Sequence, residues 1–461
     1  MKFSRLNSNH MESLRQMVGE GSFSTGDSTL SLHSRDQSFH PASLPEAVMW
    51  PGSRKEVSDI LRYADAHRIP VTAWGSGTSM EGNPIPVKGG LVLDFSKMNR
   101  ILKIREEDFQ ADVEPGVIYQ DLNIRLKSKG LFFPPDPGAR ATIGGMIANN
   151  ASGPHTVRYG STKDFILKLN LVLASGEEIE AGTRASKSSS GYDLVRLFVG
   201  SEGTLGVVVE ATVRLAGFPS ECSAVIVPFP SVESAGKAVY EIIRSGLDPA
   251  ALEFMDSDCI LLINRERKTC LEVLPTLFME FHGPSKHQLE EILGLVKEIS
   301  SDAGAGEFIS GLGRAERDQI FQARHELGEM IIRNHPGCRI LVVDVAVPVT
   351  AYPEMISTAK EEIKKEGLTG YIFSHAGDGN LHVNLVGKTS ESSDWRRIDN
   401  VVDRMISRAL EVGGTATGEH GVGIGKRKYM KAEHGNGLEW MKRIKMLFDP
   451  NGILNPGKIF S

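Results

Sequence analysis

The sequence predicts an α+β chain made of two α+β domains and a tail that returns to the first of them. Three observations carry this. From residue 48 to 218 short strand-like and helical segments are broken by glycine-rich loops. Past Pro219 longer helical spacing alternates with β segments, and after Gly418 the chain runs into a turn-rich ending at Asn455-Pro456-Gly457-Lys458. The expected division is a lead-in over 1–45, a first domain over 46–218, a second over 219–415 and a tail over 416–461. Two or more cores suit this length, because single domains usually hold about 50–250 residues.

The lead-in is polar and reads as irregular. Ser53 can cap a helix through about His67, with Val57, Ile60, Leu61 and Ala64 on one apolar face. Residues 70–74 then read as a strand that opens into Gly75-Ser76-Gly77-Thr78-Ser79-Met80-Glu81-Gly82. Glycines there expose backbone N–H groups, and Ser76, Thr78 and Ser79 add hydroxyls, a set suited to a pyrophosphate. No Gly-Lys-Ser/Thr follows, so this is not a P-loop. A strand over 91–95, not an amphipathic helix, comes next, which argues against a Rossmann turn. A plain turn without ligand accounts for the same residues.

A second glycine cluster follows a helix at about 118–129. It runs through Pro134-Pro135-Asp136-Pro137-Gly138, Thr142-Ile143-Gly144-Gly145 and Asn149, and on through Gly153 to Tyr159. A third is Val199-Gly200-Ser201-Glu202-Gly203-Thr204-Leu205-Gly206. Three clusters between β-rich segments suggest one long ligand lying across several loops, although a loop-rich domain without ligand would give the same pattern. In the second domain residues 232–244, 287–301 and 315–334 show helical spacing, while 278–281 and 341–347 read as strands, the second a buried one. The tail carries a helix near 433–448.

Composition excludes some functions. With 52 Lys and Arg against 58 Asp and Glu, the net charge is −6, and neither sign forms a long run, which argues against a nucleic-acid partner. The opening residues lack the apolar core of a secretory signal, and no run of 18 apolar residues occurs. The expectation is a cytoplasmic protein whose scattered Cys222, Cys259, Cys270 and Cys338 stay reduced.

Catalytic potential concentrates in Ser374-His375-Ala376-Gly377-Asp378-Gly379-Asn380-Leu381-His382 and in Gly418-Glu419-His420-Gly421. Residues 371–373 and 383–386 read as adjoining strands, joined by residues that tolerate positive φ. In such a hairpin His375 and His382 are expected near the turn on adjoining strands, where facing Cβ atoms lie roughly 4.5–5.5 Å apart. Two imidazoles at that spacing can share one ion. Glu419 would complete a His/His/Glu set with open positions, and His420 would remain to move a proton. As ordinary loop histidines the same residues would need no ion.

Taken together and in this order, the Gly75–Ser79 loop with Gly82, Pro135-Asp136-Pro137-Gly138, the Val199–Gly206 stretch, His375 to His382, Gly418-Glu419-His420-Gly421 and Asn455-Pro456-Gly457-Lys458 resemble one family. It is the FAD-dependent 2-hydroxy-acid dehydrogenases of the vanillyl-alcohol-oxidase (PCMH-type) fold, within the FAD-binding oxidase/transferase type 4 family. The chain is most similar to its cytochrome- or quinone-linked D-lactate dehydrogenases, with glycolate oxidase FAD subunits and D-2-hydroxyglutarate dehydrogenases as near relatives. A non-catalytic FAD-binding subunit of a complex is the reading from a different class. The resemblance runs from about residue 30 to the end.

It implies FAD between two α+β subdomains, under an α+β substrate or cap domain, with the tail packing back. The residues it assigns to FAD are Trp74, Gly75, Ser76, Gly77, Thr78, Ser79, Gly82, Pro135, Asp136, Pro137, Gly138, Thr142, Gly144, Gly145, Asn149, Gly153, Tyr159, Gly203, Gly206 and Asn455. No histidine stands in the first phosphate loop, so attachment is expected to be non-covalent. It assigns His375, His382 and Glu419 to a divalent metal (Zn²⁺, Mn²⁺ or Fe²⁺), and His420 to the catalytic base. Arg324, in Gln322-Ala323-Arg324-His325, falls to the substrate carboxylate, which a guanidinium fork fits. Without the resemblance an arginine on that helix would be read as solvated.

The implied substrate is a D-2-hydroxy acid, oxidised to the 2-keto acid by hydride transfer to flavin N5. Electrons would leave to a quinone, cytochrome or electron-transfer flavoprotein. Two departures bear on the substrate. Leu341-Val342-Val343-Asp344 lacks the lysine that serves a second carboxylate in D-2-hydroxyglutarate dehydrogenases, and Gly328 stands where an aromatic often follows the arginine, so D-lactate and longer analogues are expected. A homodimer and peripheral contact with the inner membrane are both compatible with this reading.

Overall fold

The computed structural model describes residues 2–389 and 391–460, the side chain of His325 excepted. The chain forms two compact units. Unit 1 gathers residues 1–152, 160–218 and 419–461, and unit 2 gathers 153–159 and 219–418.

Unit 1 contains two sheets. In the first, Ala47–Met49, Leu91–Asp94 and Val71–Trp74 run parallel in that order, and Phe23–Ser24 adds an antiparallel edge. The helix Arg54–His67 carries the chain from Ala47–Met49 to Val71–Trp74, the two strands that flank Leu91–Asp94. Ser53 caps this helix by accepting from the Glu56 N–H at 3.2 Å, and Val57, Ile60, Leu61 and Ala64 are fully buried, as the periodicity predicts. The tail extends the same sheet: Val71 N–H donates to Ile453 O (2.8 Å) and Asn455 N–H donates to Val71 O (2.7 Å). The lead-in is not irregular. Asn7 caps the helix Ser8–Val18, whose Leu14 enters the core beside Ile60 and Leu61. The second sheet is antiparallel, in the order Ile101–Arg105, Gln110–Val113, Val207–Arg214, Ile166–Val172, Glu178–Gly182.

Unit 2 is built on seven antiparallel strands in the order Ile309–Leu312, Glu221–Pro228, Thr276–Gly283, Ala251–Met255, Thr369–His375, Asn380–Lys388, Cys338–Ala346. Because side chains alternate across a strand, the register fixes which residues share a face. Glu253 pairs His375, His375 pairs Asn380, Asp344 pairs His382, and Ala251 pairs Glu280. Hence Glu253, Glu280, His282, His375, His382 and Asp344 all belong to one face. Ala224, Met255 and Phe278 share it, and they pack against Phe321, Leu327 and Ile331 of the helix Arg314–Asn334. A polar band therefore crosses a face that is otherwise apolar and covered by a helix.

Candidate active site

A cleft opens in unit 1. Its walls include Gly75, Ser76, Gly77, Thr78 and Ser79 from the first loop, Pro137, Thr142, Gly145 and Asn149 from the second cluster, and Gly203 and Asn455. Trp74, Gly144 and Gly206 line an adjoining recess. Close packing explains two of the glycines. A Cβ on Gly75 would lie 2.3 Å from Thr142 Oγ1, and Gly77, at φ +67°, would drive one to 2.6 Å from the Trp74 ring.

Six residues expected at the cofactor, Gly82, Pro135, Asp136, Gly138, Gly153 and Tyr159, do not line this cleft. Gly82 N–H donates to Asp36 Oδ2 at 2.8 Å, and Asp136 holds the Pro135–Gly138 turn by accepting from Gly138 N–H (3.0 Å) and from the Tyr119 hydroxyl. Gly153 and Tyr159 belong to unit 2, where the Tyr159 hydroxyl meets His282 Nδ1 at 2.8 Å.

Sequence reasoning missed Glu202 and Asn83, both on the cleft wall. Glu202 is buried and accepts from Asn83 Nδ2 (2.8 Å), Val422 N–H (2.7 Å) and Gly423 N–H (2.9 Å). Burial pushes its carboxyl above the ordinary value, against those donors. Asn83 Oδ1 is buried without a hydrogen-bond partner among the described residues, an acceptor that a bound N–H or O–H would satisfy. Asn455 ties the tail in by donating to Asn83 O (2.9 Å) and Glu202 O (2.7 Å). Next to it, burial lowers Lys458 to about 8. Exposed loop hydroxyls, close-packed glycines and an orphan acceptor fit a long polar ligand of the FAD type.

Glu419 and His420 stand on the same cleft. Ser152 Oγ donates to Glu419 Oε2 at 2.9 Å, Asn149 Nδ2 donates to His420 O at 3.3 Å, and His420 Nε2 lies 3.8 Å from Glu419 Oε1.

In unit 2, His375 and His382 are buried with ring centroids 5.2 Å apart and planes at 90°. They are diagonal neighbours and not a facing pair, because His375 pairs Asn380. The reversal is a short 3₁₀ turn, Ala376–Asp378, followed by Gly379 at φ +68°, where a Cβ would lie 2.0 Å from Val347 O. Gly418 is equally constrained: a Cβ there would come within 2.0 Å of Asn380 Nδ2 and 2.7 Å of Asp344 Oδ1.

Arg324 is not solvated. Its side chain is 12 % exposed, lies over the Phe373 ring at 4.7 Å, donates from Nε to Glu253 Oε2 (2.9 Å), and forms an ion pair through Nη2 with the same oxygen (2.7 Å). Glu253 is fully buried, and its Oε1 accepts from His375 Nδ1 at 2.7 Å. Burial pushes its carboxyl up, but His375 and Arg324 together bring it below the ordinary value. Its signal in the sequence was one acidic residue inside the apolar run Ala251-Leu252-Glu253-Phe254-Met255.

A second set, His155, Glu280 and His282, brings its possible ligand atoms within 4.8 Å of one another. Here Glu280 Oε1 meets His282 Nε2 at 2.6 Å, Oε2 lies 3.8 Å from His155 Nε2, and Arg317 Nε lies 3.6 Å from Oε1.

Two family models match this chain: the FAD binding domain over residues 45–182, and the C-terminal domain of FAD linked oxidases over residues 218–459. Among curated proteins it is 38 % identical to a probable mitochondrial D-lactate dehydrogenase of Danio rerio, over 97 % of this chain and 91 % of that one. It is 36 % identical to the glycolate oxidase subunit GlcD of Bacillus subtilis, over 98 % and 96 %. Among solved structures, the 4-ethylphenol oxidase of Gulosibacter chungangensis shares the fold at a TM-score of 0.79 and 19 % identity, over 98 % of this chain and 97 % of that one. For p-cresol methylhydroxylase the values are 0.76 and 17 %, over 97 % and 96 %. The PCMH-type α+β fold, the FAD-binding domain and the family's C-terminal domain thus span nearly the whole chain, which belongs to the FAD-linked oxidase family of FAD-dependent oxidoreductases.

Proposed function

We propose that the protein is a D-2-hydroxy-acid dehydrogenase acting on D-lactate and its longer analogues, with FAD held non-covalently and a divalent metal. The observation that carries this reading is Arg324: a half-buried guanidinium fixed on the sheet face that also bears the His375–His382 pair. A cation and a pair of imidazoles on one face match the two ends of a 2-hydroxy acid, its carboxylate and its hydroxyl. The D-lactate dehydrogenases among the relatives, three of them named as cytochrome-linked, support the same substrate and an electron acceptor of that kind.

In this reading the end of the Arg324 fork binds the carboxylate and sets the Cα–H direction. His420 takes the hydroxyl proton, a task suited to an imidazole. FAD, when bound, supplies the acceptor for the hydride. His375, His382 and Glu419 would hold the ion, which supplies a Lewis acid for the hydroxyl oxygen. The residue before Glu419 is the glycine packed on Asn380 and Asp344, beside His382 on its strand. A quinone, cytochrome or electron-transfer flavoprotein would then reoxidise the flavin. Gly328 stands one helical turn after Arg324, and a Cβ there would meet nothing within 4 Å, so the pocket has room for a longer acid.

Anaerobic bleaching of the oxidised-flavin absorbance tests this, with D-lactate, D-2-hydroxybutyrate, D-2-hydroxyglutarate and glycolate, each with and without chelator. Rapid bleaching by the first two, lost on chelation, is the expected result. Bleaching by glycolate alone would move the substrate to that of the GlcD-like relatives. No bleaching by any of them, with FAD bound, would refute the dehydrogenase reading.

A further inference from the structure

We infer that Glu253 is a positioning residue that sets both the tautomer of His375 and the presentation of Arg324, so that metal affinity and carboxylate binding depend on one side chain. This rests on the proposed function above. An ionised carboxylate only accepts hydrogen bonds. At 2.7 Å from Oε1, His375 must therefore carry its proton on Nδ1, which makes Nε2 the nitrogen with the lone pair for a metal. On the other side, Nε of Arg324 donates to Oε2 at 2.9 Å, and Nη2 lies 2.7 Å from the same oxygen in an ion pair. That engages the side edge of the guanidinium. The end fork, Nη1 with the outer hydrogen of Nη2, has no partner among the described residues and has the geometry for a second carboxylate.

The arrangement is over-determined, as a positioning device requires. Glu253 sits on the strand Ala251–Met255 with no exposure to solvent, and its directly paired neighbour on the next strand is His375 itself. Phe373, two residues before His375 on that strand, forms the floor under the guanidinium. Rotation of Arg324 away from its pose would leave a buried carboxylate short of one cation, which is costly. The neutral isostere cannot replace Glu253. A Gln amide has one acceptor oxygen and an NH₂ that donates, and both of its neighbours are donors.

The test uses the full chain with FAD bound, comparing Glu253→Gln with the parent. Flavin content and near-UV circular dichroism report folding, equilibrium dialysis with Zn²⁺ alone reports metal affinity, and steady-state kinetics report KM for D-lactate. The expected result is retained FAD, a metal Kd weakened by about 10–100-fold, and a KM raised by at least about tenfold, roughly one lost charge-assisted hydrogen bond. A variant with FAD bound and both constants within about twofold of the parent would overturn the inference, that change being well under the energy of one hydrogen bond. So would a change in only one of the two. If Glu253→Gln does not accumulate with FAD, Glu253→Asp gives the same two readouts with the charge kept and the arm one methylene too short to reach both partners. Loss of FAD in both variants would assign Glu253 to folding alone and overturn positioning. A parent that binds no Zn²⁺ and oxidises no 2-hydroxy acid would instead bring down the proposed function, and this inference with it.

Discussion

Two buried carboxylates on one sheet face, Glu253 and Glu280, are built from the same parts and arrive at different ends. Each sits on a central strand, each meets a histidine, and each meets an arginine from the helix Arg314–Asn334. Arg317 and Arg324 are two helical turns apart, about 10.5 Å along the axis, so one helix face serves both. Burial pushes both carboxyls up and the neighbouring cations bring both below the ordinary value. The difference lies in which nitrogen of each imidazole meets the carboxylate. Glu280 needs the proton of His282 on Nε2, and the Tyr159 hydroxyl then donates to Nδ1, so both ring nitrogens are held inside the network. Glu253 accepts from Nδ1 of His375 and from Nε of Arg324, with the His382 ring 5.2 Å from that of His375. The first holds its histidine between a carboxylate and a tyrosine, and the second sets its histidine beside another imidazole. Chemical identity alone does not separate a His/Glu/Arg brace from a His/Glu/Arg site; the tautomer and the neighbouring ring do.

The comparison breaks first at the proton acceptor. His420→Ala is expected to slow anaerobic flavin reduction by D-lactate by about 10²–10⁴-fold, with FAD retained, as stopped-flow absorbance would show. Next come the two arginines. Arg324→Lys should lower kcat/KM for D-lactate by roughly 10–100-fold, the equivalent of one charge-assisted hydrogen bond. Arg317→Lys should leave kcat/KM unchanged, and equal losses in the two would erase the distinction between brace and site.

His282→Ala should act on stability and not on turnover, costing about 1.5–3 kcal/mol in denaturant unfolding as Glu280 loses a charged hydrogen bond. The same brace sets a pH dependence. Glu280 is depressed in the folded state, so its contribution is complete above the unfolded carboxyl value of about 4.3 and is lost as pH falls below it. His282 is depressed too: burial lowers it, partly offset by Glu280, so folding disfavours its protonation, and stability falls as pH drops below about 6.5. Both terms have the same sign. The Tm should decline from pH 7 to pH 4, less steeply in His282→Ala. The smallest effect concerns size. Gly328→Tyr should reduce kcat/KM for 2-hydroxybutyrate relative to D-lactate by about tenfold, the usual worth of a methylene in a pocket.

Much of this was legible in the sequence, because local signals carry it. The Ser53 cap, the Val57–Ala64 stripe and the buried strands follow from spacing within a few residues. The first glycine loop and its hydroxyls do line the cleft. What was not legible depends on partners distant in sequence. Glu253 finds Arg324 and His375 only because two strands and a helix meet, and Tyr159 finds His282 across 123 residues. The facing pair expected of His375 and His382 became a diagonal one, because the Ala376–Asp378 turn sets a register that turn composition does not reveal. The helix Ser8–Val18 escaped notice because Leu14 alone of its residues is fully buried.

The central claim is that only the set around His375 takes a metal. Zn²⁺ stoichiometry by equilibrium dialysis on the FAD-loaded parent, His382→Ala and His282→Ala tests it most directly. The account predicts one equivalent in the parent, none in His382→Ala and one in His282→Ala. Two equivalents in the parent, or loss of the ion in His282→Ala with retention in His382→Ala, would contradict it.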